Sequence, residues 1–145
     1  MRSRRLADTN GLATYALVFD EGDEVNETLL AFAREHNVDS AHFTGIGALT
    51  DVELGYFQWD RKEYKRIPVR EQVEVLSLVG NVALSPEGGP ALHAHIVVGK
   101  SDGTAMGGHL LGGHVRPTLE VALTESPAHL QRAIDPETGL ALLAG

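Results

Sequence analysis

Three histidines stand where a simple reversal of the chain would bring their imidazoles together. His93 and His95 lie two apart inside a run of strand character, Leu92 and Ala94 followed by Ile96, Val97 and Val98. Side chains alternate faces along a strand, so both imidazoles project from one face. Lys100, Ser101, Asp102 and Gly103 supply turn chemistry, Asp-Gly being a strong reversal signal. The chain then returns through Thr104, Ala105 and Met106 to Gly107, Gly108 and His109, and a hairpin sets His109 beside the pair. Three imidazoles converging from two strands suit a divalent transition metal, zinc foremost, with the fourth position open to water or substrate. Histidines also serve as half-buried hydrogen-bonding groups, and the turn with its Gly-Gly-His return is what favours a metal. His114 follows Gly112 and Gly113, which break the strand pattern, so its facing is not readable.

The absence of cysteine leaves histidine and carboxylate as the available ligands and excludes disulfides. Two carboxylates are candidates for moving protons near such a metal. Glu120 follows the histidine-rich segment within Leu119–Thr124, and Glu74 sits in the longest apolar run, Val73–Leu84. An outward-facing surface role suits both equally well. Gly45-Ile46-Gly47 lacks the spacing and following helix of a dinucleotide-binding loop, so close backbone packing or a bulge explains it better. No nucleophile-elbow pattern is present.

The elements that must position these groups are mostly strands. Thr14–Phe19 reads as a first strand. Asp23 can cap a helix over about 23–36, where Val25, Leu29, Phe32 and Ala33 form one apolar stripe. Strands follow at Ala41–Leu49, Val52–Trp59, Tyr64–Val69, Val73–Leu84, Leu92–Val98 and Leu119–Thr124, with a short helix over Pro127–Ala133 and a terminal strand over Leu140–Leu143. This balance predicts an α+β domain, a largely antiparallel sheet packed with one main helix, spanning residues 1–145. Residues 1–10, rich in arginine and poor in apolar side chains, read as a flexible arm or a loosely docked edge.

A net charge of −8 opposes non-specific attraction to nucleic acid or anionic membrane. The basic residues concentrate in one hairpin, Arg61, Lys62, Lys65, Arg66 and Arg70, where a charged edge that discourages sheet-to-sheet pairing accounts for them. No apolar run approaches a membrane span and no signal-peptide region is evident, so the expected location is the cytoplasm.

The order of these pieces resembles the plant and prokaryote conserved (PPC) domain family, in its stand-alone prokaryotic form. The likeness rests on G-I-G-A-L at 45–49, V-E-L-G-Y-F at 52–57, V-E-V-L-S-L-V-G-N-V at 73–82, H-A-H-I at 93–96, D-G-T-A-M-G-G-H-L at 102–110 and P-T-L-E-V at 117–121. The resemblance implies a compact α+β fold, a homotrimer, and a metal held at the positions of His93, His95 and His109. Plant members carry an Arg-Gly-Arg-Pro minor-groove hook and a Gly-Arg-Phe-Glu-Ile-Leu partner motif. Here the first is absent and the second is replaced by Glu71-Gln72-Val73-Glu74-Val75-Leu76. The sequence therefore favours a three-histidine metal site serving catalysis or small-molecule binding over the alternative, a DNA-associated or protein-interaction regulator.

Overall fold

The computed structural model describes residues 1–127 and 129–144. The elements run β1 (Arg2–Thr9), β2 (Leu12–Phe19), α1 (Val25–Glu35), β3 (Ala41–Gln58), β4 (Glu63–Val69), β5 (Val73–Leu84), β6 (Pro90–Gly99), β7 (Ala105–Glu125), β8 (Arg132–Ile134) and β9 (Ala141–Leu143). Seven strands form one sheet in the order β1-β2-β7-β6-β5-β3-β4, every pair antiparallel, and β8 and β9 form a separate ribbon. A further pairing of β7 with β3 closes β7, β6, β5 and β3 into a ring. The expected α+β architecture with one main helix is the one observed.

Period-two alternation decides what faces inward. Ala13, Tyr15, Leu17 and Phe19 of β2 are buried, as are Ala94, Ile96 and Val98 of β6. The interleaved residues of β6, His93, His95 and Val97, stand on the opposite, outer face. Helix α1 buries Val25, Leu29, Phe32 and Ala33 and packs against β6 and β7. Its cap is Glu24, not Asp23: the Glu24 carboxylate accepts from the Glu27 amide at 2.7 Å and from the Gly113 amide at 3.0 Å, tying the helix start to β7. Asp23 instead accepts from the Asp20 amide and pairs with the terminal amine of Met1.

Three further expectations change, and of the two readings of residues 2–9 the docked edge is the one that fits. Ala41–Leu49 and Val52–Trp59 are one continuous strand, β3, bent by register shifts around Gly47 and Asp51 and not interrupted by a turn. Gly112 and Gly113 likewise do not end a strand: β7 runs through them for 21 residues, because glycines let it pass close to Glu24 and to the Asp51 carbonyl. Residues 2–9, read as an arm or loose edge, pair with β2 along their length as an exposed edge strand. The helix expected over 127–133 is not formed by its described residues: Gln131 bridges to Leu84 and Arg132 begins β8, while residue 128 lies outside the described residues.

Candidate metal centre

The β6–β7 hairpin places His95 opposite His109 in register, and His93 two residues before His95 on the same face. The three ring centroids lie 5.1 Å (His93–His95), 5.1 Å (His93–His109) and 5.6 Å (His95–His109) apart. One ligand nitrogen from each falls within 4.8 Å of the others. Tetrahedral zinc with nitrogen ligands needs separations of about 3.3 Å, which small rotations of the rings can supply. A second observation bears on the fit. Nδ1 of His109 is buried and has no hydrogen-bond partner among the described residues. A buried nitrogen left unsatisfied costs free energy unless something binds there, and the donor set suits a borderline-soft divalent ion.

Burial holds the protonation state in the form that ligation needs. It pushes His109 down to about 4, helped by the neighbouring His93 and His95. His93 is lowered for the same first reason, with His95 and Arg132 adding to it. At neutral pH both rings are uncharged and keep a free lone pair.

The cluster lies on the outer face of the sheet, so other elements must cover it. Tyr64 of β4 stacks on His109, with centroids 4.7 Å apart. Gly55 makes room: a Cβ there would come within 2.8 Å of the Tyr64 ring. On the other side the β8–β9 ribbon closes over the site, and a hollow of about 230 Å3 remains between His93, His109, Tyr64, Arg132, Leu140 and Leu142. The Arg132 guanidinium, on a side chain only 6% exposed, donates to Asn81 Oδ1 and, at 3.3 Å, to the Ala141 carbonyl. His95 stays exposed at the rim. Tyr64, Asn81 and Arg132 are additions to the sequence reading. Asn81 carried a signal, as the one amide within the longest apolar run; Arg132 carried none.

The remaining candidates lie elsewhere. Glu74 and Glu120 are brought together with each other, lining a hollow with Ile46, Gly47, Val75 and Leu76 that none of the three histidines touches. Glu74 pairs with Gly99, four residues beyond His95 and about 13 Å further along β6. Glu120 is eleven residues beyond His109 along β7. Neither carboxylate therefore joins the histidine cluster. His114 is also apart from it, exposed, with Nδ1 3.1 Å from the Asp51 carboxylate.

The model of the Plants and Prokaryotes Conserved (PCC) domain matches residues 7–127. Among solved structures, a plant- and prokaryote-conserved protein of Pyrococcus horikoshii is 34% identical, with a TM-score of 0.86 over 96% of this chain and 98% of that one. A metal-containing protein of Archaeoglobus fulgidus is 31% identical, with a TM-score of 0.84 over 100% of this chain and 99% of that one. A protein of Ralstonia eutropha named for a proposed DNA-binding role is 34% identical, with a TM-score of 0.83 over 90% of each chain. Among curated proteins, the bifunctional protein GlmU of a Synechococcus strain is 29% identical over 134 residues, which are 90% of this chain and a fifth of that protein's length.

Proposed function

The chain belongs to the Plants and Prokaryotes Conserved domain family, and from that premise we propose that it is a metal-dependent protein, holding a zinc-like divalent ion through His93, His95 and His109 and using it to bind or transform a small molecule. The observation that carries this reading is the convergence of three imidazoles, two of them held neutral by burial and one, His109, with a buried ring nitrogen that has no partner. The metal-containing relative from Archaeoglobus fulgidus gives it independent support. Zinc held by three histidines keeps an open position, where it lowers the pKa of bound water or polarises a carbonyl. This chain's own residues shape what reaches that position. Tyr64 shields one face of His109, Leu140 and Leu142 wall the hollow with apolar surface, and Arg132 sets a positive charge beside it.

The alternative, a DNA-associated regulator, is favoured by the names of two similar structures, the Ralstonia eutropha protein and one from Bacteroides thetaiotaomicron. The charge arrangement argues against it. Arg66 is forked onto the Glu53 carboxylate at 2.9 and 2.8 Å, Arg61 faces Glu63, and Arg5 and Arg2 pair with Asp8 and Asp20. The cations that would neutralise phosphates are partly neutralised within the chain.

Elemental analysis of protein purified without an affinity tag and incubated with zinc tests the leading reading. About one ion per chain is expected, with most of it lost in His109→Ala while the circular dichroism spectrum persists. Wild-type protein that remains metal-free would sink it.

A further inference from the structure

We infer that the hollow beside the three histidines is a binding site for a small organic acid, whose carboxylate pairs with Arg132 while its carbon chain lies against Leu92, Leu140 and Leu142. This deepens the metal reading, resting on it for the role of the histidines, but its own observations are separate. Arg132 is among the most buried polar side chains of the protein. Of its five N–H donors, two are engaged, by Asn81 Oδ1 and the Ala141 carbonyl, and both acceptors are neutral. Nε is fully enclosed without a partner. No carboxylate among the described residues lies in ion-pair contact with it, and burial alone lowers its pKa, with no acid raising it back.

A buried guanidinium without a counter-ion is expensive, and folded proteins keep one where an anion arrives to pair with it. The case is stronger because the neighbouring groups add no negative charge. The other residues that line the hollow are Tyr64, His93, His109 and apolar side chains, and include no carboxylate. A cation on the three imidazoles would make the hollow more positive still. The Arg132 fork matches a planar carboxylate in both shape and charge. The apolar walls and the volume of about 230 Å3 admit a short aliphatic chain and exclude a bulky ligand. Asn81, the amide in the apolar run of β5, accepts from the guanidinium and so fixes its orientation.

The test uses the whole chain, zinc-loaded and metal-free, titrated with butanoate and with butanamide, its uncharged isostere, and followed by NMR. Butanoate is expected to bind at least about tenfold more tightly and to shift the signals of Arg132 and Ala141. That preference should vanish in Arg132→Met at unchanged zinc content and survive in weakened form in Arg132→Lys. Equal binding of acid and amide to wild type overturns the inference, as does a preference that persists in Arg132→Met. Inorganic phosphate binding more tightly than butanoate overturns the carboxylate assignment. Should Arg132→Met fail to fold, the wild-type comparison of acid with amide decides alone. Protein that takes up no zinc yet prefers the acid would refute the metal and keep the acid site; zinc-loaded protein without the preference would do the reverse.

Discussion

Tyr64 lies nearly flat on His109, with ring planes 28° apart and centroids 4.7 Å apart. The contact joins strands that meet only through β3, and it depends on Gly55, the register partner of both His109 and Arg66. A side chain at Gly55 would occupy the space the tyrosine ring fills.

Tyr64→Phe should therefore preserve both stability and zinc affinity, since the stack needs the ring and not the hydroxyl. Tyr64→Ala should cost about 1 kcal/mol from the ring pair, beyond the loss of burial, and weaken zinc on the order of tenfold through loss of the orienting neighbour. Gly55→Ala should reproduce the zinc effect. Chemical denaturation and competition with a chromogenic chelator read the two quantities.

Gly80 is a second backbone constraint on the site. A Cβ there would come within 2.5 Å of the Phe43 ring and 2.6 Å of the His93 carbonyl. Gly80→Ala is expected to destabilise by about 1–3 kcal/mol and to lower zinc affinity by displacing the strand that carries His93. Unchanged zinc affinity in a folded variant would mean that β6 yields more easily than the packing implies.

The metal-free protein should lose stability in mild acid. His109 titrates near 6.5 when unfolded and at about 4 when folded. Between those values the unfolded chain binds more protons, so stability falls as pH drops through that window and is independent of this group above it. His93 acts in the same direction. Urea midpoints of metal-free protein should decline from pH 6.5 toward 4, and the decline should be shallower in His109→Gln.

An apolar face adjoins the site and should be covered by other copies of the chain. Ile46, Leu76, Val79 and Val97 are 62%, 55%, 48% and 41% exposed on neighbouring strands, and Val79 is the register partner of His95. Surfaces of this kind usually mark association, and a single helix leaves them bare. Light scattering should give a trimer mass at micromolar concentration, with Leu76→Glu shifting it to monomer. A monomeric wild type would overturn this expectation.

Duplex DNA should bind weakly. With 12 basic residues against 20 acidic ones, and Arg66 committed to Glu53, the net charge of the chain opposes the approach of phosphates. Fluorescence anisotropy with A·T-rich and mixed duplexes at near-physiological salt should show no submicromolar affinity. Submicromolar binding that weakens on Arg61 and Lys65 substitution would refute the charge argument.

The three histidines were legible because period-two alternation and an Asp-Gly turn are local signals, and together they fix which side chains meet across a hairpin. The helix was legible for the same reason, through the stripe of Val25, Leu29, Phe32 and Ala33. What escaped the sequence was long-range. The lengths of β3 and β7 depend on each being paired at both edges, which carries them through glycines that would otherwise end a strand. Tyr64 meets His109 only because Gly55, the register partner of His109, has no side chain to fill the space of the tyrosine ring, and Arg132 reaches the site from a segment with no strand periodicity. Glu120 and Glu74 do not meet the histidines: Glu120 follows His109 by eleven residues of extended β7, and Glu74 of β5 pairs with Gly99, beyond His95 on β6.

The ring closure of β3 with β7 also orders the events of folding. Ala41 must find Glu125, 84 residues away, whereas His95 and His109 are 14 residues apart on one hairpin. Closing a short loop takes less entropy and less time than closing a long one. The histidine cluster is therefore expected to assemble before the ring of strands closes, at a stage when its tyrosine and ribbon covers have not yet arrived. An ion captured then would hold the hairpin in register while the distant strands search for their partners, so its effect would fall on the rate of folding as well as on the stability of the finished molecule.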